Sequence, residues 1–341
     1  MRTIPLTEDD RLIYTTEIQP WLPPRLFDAH THLLFDDCHP QMAETMPLAL
    51  DPLLNKVDLA RLQQWWRTLF PDCDMRGMVM GFPTRDVRMA EENRLVAEQC
   101  APAAHPFAWL VKPSDDLAQL EDEIQQYKPA VLKPYMCFVK GKPMNEADIT
   151  DLIPKGQLAL ADKYGLAVML HVAKPWGMGD PDNLRDIERL SATYPHCQFI
   201  LAHCGRCFIT PNAERMVDRL VRADNVWMDT SAVCDSGVFL TVLKHYDRKK
   251  ILFGTDLATA VGFRGNYIRL GTSWHVCTDE MVSRKGGMAH GATYAAYEGV
   301  AALCFALRFL EVPRNEQEDI FFRNGETLFQ SFLDPEHTES P

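Results

Sequence analysis

Two histidines, His30 and His32, are separated by one residue in the stretch FDAHTH at residues 27 to 32. Side chains two positions apart on a β-strand point to the same face, so both imidazoles can bind one metal ion. Three further polar residues also lie at or near the ends of apolar runs: His171, His203 and Asp256. With His171 and Asp256 added, the pair becomes a set of three imidazoles and one carboxylate. That set predicts a site for Zn²⁺ or a similar divalent ion, with a position left for water.

Each of these residues also has an ordinary structural interpretation. A histidine on an apolar strand, such as His171, is more often a core side chain with a satisfied hydrogen bond. His203 could donate to a backbone carbonyl, and Asp256 could cap the start of a helix. The joint position of all five residues at predicted strand ends favours a metal site over these alternatives.

Eight short apolar runs supply the strands that must position these residues. Most are almost continuously apolar, which is typical of parallel strands buried on both faces. The predicted strands are RLFDAH (25–30), MRGMVMGF (75–82), PFAWLVK (106–112), AVLKPYM (130–136), LAVMLHV (166–172), CQFILAH (197–203), NVWMDTS (225–231) and KILFGTD (250–256).

Helical patterns separate these strands, and Thr84 is the candidate N-cap of the one at 84–100. Alternating strands and helices imply right-handed crossovers, and eight such units close naturally into a (β/α)8 TIM barrel. A doubly wound open sheet is the alternative, but the sequence has no GxGxxG or Walker-type phosphate loop. We therefore predict an α/β chain folded as a TIM barrel, in which the candidate residues meet at the C-terminal mouth.

Two long segments would lie over this mouth. Residues 33–57 are rich in Pro and Asp, and residues 257–292 contain Gly and few regular patterns. We interpret the first as a rim and the second as a lid-like insertion, because long loops in compact domains are usually functional or disordered. His39 and His275 lie in these segments and could contact substrate. Residues 293–331 are predicted as helices packed outside the barrel, within one domain of 341 residues.

The composition of the chain argues against several classes of protein function. The formal net charge is −12, whereas nucleic-acid-binding proteins usually present a basic face. No apolar stretch approaches the ~20 residues needed to span a bilayer, and the charged N-terminus lacks a signal-peptide core. The ten cysteines are scattered. We expect a cytoplasmic protein with reduced thiols, a small-molecule substrate, and no nucleic-acid or membrane partner.

The sequence resembles the metal-dependent amidohydrolase superfamily, and more narrowly its amidohydrolase-2 branch, which includes aminocarboxymuconate semialdehyde decarboxylase. The matching motifs are DAHTH, MLH, LAHCGR, VWMDTSA and ILFGTD, in the order that the branch shows. IFFRNGETLF resembles the closing N-A-x-x-L-F helix motif, with Gly325 where alanine is usual. The resemblance covers about residues 25–330 and implies a barrel with one divalent ion, usually zinc, with manganese as an alternative.

The resemblance also implies roles for individual residues. The metal ligands of the branch map to His30, His32, His171 and Asp256. His203 maps to the sixth-strand histidine that activates water or polarises the substrate. Asp256 corresponds to the carboxylate that accepts the proton of the water in hydrolytic relatives.

Three further residues are candidates for substrate binding. Lys133 could bind a substrate carboxylate, pair with an acid on a neighbouring strand, or be carbamylated to bridge two metals as in binuclear members of the superfamily. Arg206 could clamp a carboxylate through two parallel hydrogen bonds, or pair with an acid at the rim. His275 could reach substrate from the lid-like insertion.

The leading functional prediction is metal-assisted hydrolysis of a C–N or C–O bond in a small molecule such as an amide, lactone or ester. The alternative is non-oxidative decarboxylation of a small carboxylated ring or dienoate, because the branch contains both chemistries. A binding protein without activity is disfavoured by the ligand set together with His203. Relatives are often dimers, so a homodimer is also expected.

Overall fold

The computed structural model of the protein describes residues 4–41, 56–220, 224–262, 264–278 and 291–333. Each of the eight predicted runs contains a strand. The described strands are β1 (Arg25–His32), β2 (Leu34–Phe35), β3 (Lys56–Val57), β4 (Asp74–Met80), β5 (Ala108–Val111), β6 (Val131–Pro134), β7 (Ala167–Leu170), β8 (Gln198–Leu201), β9 (Val226–Asp229), β10 (Ile251–Leu252), β11 (Gly265–Leu270) and β12 (Ser273–Thr278).

Eight of these strands, β1 and β4 to β10, run parallel in a closed ring. Strands β5 to β10 form one sheet in chain order, and β1 pairs with β4. The Val79 amide donates to the Pro106 carbonyl at 2.9 Å and joins β4 to β5. On the other side, the Ala29 amide donates to the Phe253 carbonyl at 2.8 Å and joins β1 to the chain that follows β10. The predicted (β/α)8 barrel is therefore confirmed.

Helices cover the outside of this barrel at the positions that the sequence predicts. The described α-helices are Glu8–Ile13, Leu59–Leu69, Met89–Cys100, Leu117–Tyr127, Ile149–Leu152, Lys155–Lys163, Pro181–Thr193, Thr210–Leu220, Ser236–His245, Ala295–Phe309, Arg314–Glu318, Asn324–Leu328 and Gln330–Leu333. The prediction of Thr84 as an N-cap is wrong, because that helix begins at Met89 after Arg88. The Thr84 hydroxyl instead lies 2.7 Å from His39 Nδ1.

The two long segments contain more regular secondary structure than the sequence analysis predicts. In the first, β2 and β3 form a short antiparallel pair, and residues 42–55 lie outside the described part of the chain. In the second, β11 and β12 form an antiparallel hairpin that turns at Gly271, whose φ is +63°. Residues 263 and 279–290 of the lid-like insertion lie outside the description. The aromatic and β-branched residues on both sides of Gly271 were a hairpin signal.

The sequence analysis predicts that residues 293–331 all pack outside the barrel. In the structure, only some of them do. The helix Ala295–Phe309 does so, but the residues after it cover the lower opening. Phe329 stacks on Phe27 inside the barrel, with the ring centroids 5.7 Å apart. The Phe253 amide donates to the Ile320 carbonyl at 3.1 Å. No helix in the described ranges is long and apolar enough to span a membrane.

Candidate active site

The side chains of His30, His32 and Asp256 converge at the C-terminal mouth of the barrel. His32 Nε2 lies 3.3 Å from Asp256 Oδ1, and His30 Nε2 lies 3.7 Å from the same oxygen. One ligand atom from each residue lies within 4.8 Å of the others, so this buried group could hold a metal ion. A shift of the strand register between Asp28 and Thr31 accompanies this arrangement. It lets Phe27 and Ala29 fill the barrel below while both histidines face the mouth.

The second ring nitrogen of each of these histidines is already held by the protein. His30 Nδ1 lies 2.8 Å from Asp229 Oδ2, and His32 Nδ1 donates to the Gly81 carbonyl at 3.0 Å. These bonds fix the ring orientations and leave Nε2 as the free nitrogen, as is usual for metal-binding histidines. The Asp256 amide donates to the His30 carbonyl at 2.8 Å, which fixes the third member. The donor set therefore fits a divalent cation.

Two more histidines border this group. The His203 ring lies 4.8 Å from the His30 ring and 5.1 Å from the His171 ring. His203 Nδ1 lies 2.9 Å from Ser231 Oγ and 3.1 Å from the Ser231 carbonyl oxygen, so its Nε2 is not used by this contact. His171 Nδ1 is buried and has no hydrogen-bond partner among the described residues. His171 therefore lies at the site but is not one of the three residues, His30, His32 and Asp256, whose ligand atoms lie within 4.8 Å of one another.

Burial favours the neutral form of the His30 and His203 imidazoles, whereas the groups around Asp256 favour its ionised form. Burial lowers the pKa of His30 to about 4, although Asp229 opposes this, and burial also lowers the pKa of His203. Burial alone would raise the pKa of Asp256, but the contact with His32 and the nearby His203 and His30 side chains lower it overall. Neutral imidazole and ionised carboxylate are the protonation states that bind metal ions.

The three predicted substrate-binding residues do not line the cavity above this group. Lys133 is completely buried, and its Nζ has no hydrogen-bond partner within the described chain; burial lowers its pKa to about 8, with Asp229 opposing. Arg206 Nη1 donates to the Val172 carbonyl at 2.8 Å. His275 is exposed on the hairpin. Their roles in substrate binding stay predictions.

A cavity of about 550 Å³ opens above the candidate ligands. Its floor includes His30, His32, His171, His203 and Asp256, so all five sequence candidates from the strand ends border one space. Its walls include four aromatic side chains, Phe82, Tyr135, Phe208 and Tyr267. Such a space is large enough for a small ring-shaped or chain-like molecule and suits an apolar body with a polar reacting end.

The hairpin and a neighbouring phenylalanine form a stacked wall that reaches the site. Tyr267 of β11 stacks on Phe208 with the centroids 4.6 Å apart, and Trp274 of β12 lies 4.8 Å from the same ring. Phe208 in turn stacks on His203 at 5.7 Å. The hairpin therefore contacts a predicted catalytic residue through a single phenylalanine.

Sequence reasoning missed Asp229 and Ser231 as parts of the site. Asp229 is completely buried at the end of β9, and its Oδ1 accepts the His203 amide at 3.0 Å and the Ser231 hydroxyl. Its position at a strand end, in the motif VWMDTSA, is the same signal that singled out the histidines. Arg85, which also lines the cavity, follows β4 in a loop and carries no such signal.

Comparison with known proteins places the chain in a family. A model of the amidohydrolase family matches residues 28–330. No curated protein matches the sequence. A zinc-bound amidohydrolase from Burkholderia multivorans has a similar structure, with a TM-score of 0.59 and 11% identity over 89% of this chain and 99% of that one.

Two further solved structures show the same fold. A dihydroxybenzoic acid decarboxylase from a Polaromonas species, with bound manganese and the inhibitor 2-nitroresorcinol, has a TM-score of 0.58 and 13% identity over 93% of this chain and 100% of that one. A probable 2-pyrone-4,6-dicarboxylic acid hydrolase from Acinetobacter baumannii, with bound citric acid, has a TM-score of 0.55 and 12% identity over 89% and 99%. At such identities these likenesses show the fold alone. Because the family model spans most of the sequence, the chain belongs to the amidohydrolase family, in its amidohydrolase-2 branch.

Proposed function

We propose that this protein is a metal-dependent hydrolase that cleaves a C–N or C–O bond in a small amide, lactone or ester. The observation that carries the proposal is the convergence of His30 Nε2, His32 Nε2 and the Asp256 carboxylate at the floor of a cavity. The other ring nitrogens of both histidines are held by the protein, so the free nitrogens are oriented for a ligand.

The proposed metal site is a set of four residues: His30, His32, His171 and Asp256. Its nitrogen and oxygen donors suit zinc, with manganese as the second choice. A divalent ion at such a site supplies Lewis-acid polarisation and makes a water nucleophile available near neutral pH. Relatives of similar structure contain zinc or manganese, which supports the choice of these two ions.

Two side chains are proposed to move protons. The ionised Asp256 carboxylate, on the cavity floor, accepts the proton of the attacking water. His203 donates its Nδ1 proton to Ser231, so Nε2 is free to accept a proton and then release it to the leaving group. The Asp229 carboxylate, bonded to the His203 amide, stabilises the charge that His203 then carries.

A second candidate function is non-oxidative decarboxylation, which the aromatic walls of the cavity favour. Phe82, Tyr135 and Tyr267 line the cavity and can contact a planar carboxylated ring. In that reaction His203 Nε2 would deliver a proton to the carbon that loses carbon dioxide. The decarboxylase from Polaromonas supports this candidate, because it acts on dihydroxybenzoic acid.

One experiment separates these functions. The zinc- or manganese-loaded protein is incubated with lactones, amides and hydroxybenzoates in water enriched in oxygen-18. Hydrolysis places the label in the new carboxylate, whereas decarboxylation releases carbon dioxide and leaves the ring product unlabelled at the reacting carbon. Turnover of hydroxybenzoates alone would replace the hydrolase assignment with the decarboxylase.

The metal requirement has its own test. His32→Asn is expected to lose both bound metal, measured by elemental analysis, and turnover. His275→Asn, a histidine exposed on the hairpin, serves as the matched variant and keeps its bound metal. Wild-type metal content and activity in His32→Asn would contradict the proposed site.

A further inference from the structure

One wall of the cavity is formed by the four residues that follow strand β4, from Phe82 to Arg85. This wall begins next to Gly81, whose carbonyl accepts the proton of His32 Nδ1. The position of the wall is therefore tied through the backbone to a candidate metal ligand. The backbone at the start of the wall is therefore held at the floor of the cavity.

A buried pair of side chains holds this wall from behind. Glu92, on the helix Met89–Cys100, is completely buried, and its Oε1 accepts the Phe82 amide at 3.0 Å. His39 lies between Glu92 and the wall, with Nε2 3.4 Å from Glu92 Oε1 and Nδ1 2.7 Å from Thr84 Oγ1. His39 was a candidate for substrate contact in the sequence, but the structure buries it one layer behind the cavity. The wall is thus anchored at two positions, Phe82 and Thr84.

Arg85 is the one Lys or Arg among the described residues that line the cavity. Its side chain is exposed, and its Nη2 lies 3.9 Å from Met144 Sδ. It forms no ion pair with a carboxylate of the described residues, although the whole chain carries a net charge of −12. Many other arginines are paired with acids, including Arg94, Arg185, Arg189, Arg219, Arg248, Arg264, Arg308 and Arg323.

The two cations that the sequence offered for a carboxylate are not placed for this task. Arg206 uses Nη1 to bond the Val172 carbonyl, and Lys133 lies buried beneath the site. Neither side chain lines the cavity. Among the described residues, Arg85 is the cation that a ligand in this cavity can reach without rearrangement of a buried bond.

We propose that Arg85 binds a carboxylate at the end of the substrate remote from the reacting group. The guanidinium can engage the carboxylate through two parallel hydrogen bonds, while the aromatic walls contact the body of the molecule. The substrate class is then a small acid with a second, reactive function at its other end. The position of the reactive function rests on the proposed function, whereas the binding of the carboxylate by Arg85 does not.

The test compares benzoate with isophthalate, which adds one carboxylate to the same ring. Binding of both to the metal-loaded protein is measured by isothermal titration calorimetry. We expect the carboxylate of benzoate to bind at the metal site, so the difference between the two ligands isolates the second carboxylate. For the wild type, the second carboxylate is expected to tighten binding by about two- to fivefold, the range for an accessible charged pair.

Arg85→Gln is expected to abolish this gain and to leave the affinity for benzoate unchanged. Arg85→Lys is expected to keep part of it, because a lysine retains the charge but not the paired hydrogen bonds. Arg88→Gln is the matched control: Arg88 is exposed three residues away and does not line this cavity, so the full gain should remain. Equal losses in both glutamine variants would show a general charge effect and overturn the proposal.

Two other results would also overturn it: no gain in the wild type, or an undiminished gain in Arg85→Gln. Failure of the proposed function can be distinguished from failure of the proposal for Arg85. It would appear as absent turnover across the substrate panel by a protein that still distinguishes isophthalate from benzoate. Elemental analysis and thermal unfolding of each variant confirm that the metal content and the fold are unchanged.

Discussion

The contact between Asp229 and His30 makes the most direct prediction about the site. Asp229 Oδ2 lies 2.8 Å from His30 Nδ1, and Oδ1 accepts the amides of His203 at 3.0 Å and Ser231 at 3.1 Å. Asp229→Asn keeps the size of the side chain but supplies only one acceptor oxygen. If that oxygen stays with the backbone amides, the amide nitrogen faces His30 Nδ1. The neutral His30 ring then carries its proton on Nε2, the nitrogen that should bind metal.

The size of the effect follows from the role of such partners at metal sites. Removing the group that orients a metal-binding histidine typically lowers metal affinity by about 10- to 100-fold. This loss corresponds to about 1.4 to 2.8 kcal/mol. Because the substitution also places the proton on Nε2 of His30, we expect a value near the upper end.

The assay is a competition titration of zinc between the protein and a coloured chelator. Asp116→Asn is the matched control, because Asp116 caps the helix Leu117–Tyr127 and asparagine caps a helix equally well. It removes one charge and should leave zinc affinity unchanged. Thermal unfolding checks that Asp229→Asn is folded. Zinc affinity equal to that of the wild type in folded Asp229→Asn would refute the reasoning.

Three further predictions concern stability and are measured by urea unfolding. Gly325→Ala places a methyl group against the Phe27 ring and should lower the free energy of unfolding by about 1–3 kcal/mol. Adding Phe27→Leu should restore much of the lost stability, because the smaller side chain makes room for the methyl group. No recovery in the double variant would contradict this packing. Asp10→Asn weakens the partly buried 2.7 Å pair with Arg264 at the base of the hairpin and should lower the free energy of unfolding by about 1–3 kcal/mol, whereas Asp10→Asn with Arg264→Gln should lower it by less than that single change. Burial lowers the pKa of His105 below 6.5, so its contribution to the free energy of unfolding is full above pH 6.5 and declines as the pH falls. The difference in free energy of unfolding between wild type and His105→Asn should therefore shrink from pH 8 to pH 5. A constant difference would contradict this prediction.

Gly325 shows how the structure explains a departure from a family pattern. The sequence places glycine where the closing helix motif of the branch usually has alanine. In the structure, a Cβ at this position would overlap the ring of Phe27, which fills the lower barrel and stacks on Phe329. The large ring on β1 and the missing methyl group on the closing helix are therefore complementary.

The sequence by itself determined the barrel and the approximate location of the site. Parallel strands buried on both faces must be apolar over their whole length, so eight continuous runs identified eight strands. The ends of such strands meet at one mouth, which brought His30, His171, His203 and Asp256 to one cavity. These conclusions need only local composition and the direction of the strands.

Only the tertiary structure decided which groups touch. The shift of register in β1 turns His30 and His32 towards the mouth although Phe27 and Ala29 fill the barrel below, and strict alternation would not place both sets inside. The partnership of Asp229 with His30 joins residues 199 positions apart. Spacing along a strand determines the face of a side chain, whereas hydrogen bonds between strands depend on register and ring orientation. The sequence therefore located the site, and the packing of distant strands determined how its residues are oriented and which cation faces the cavity.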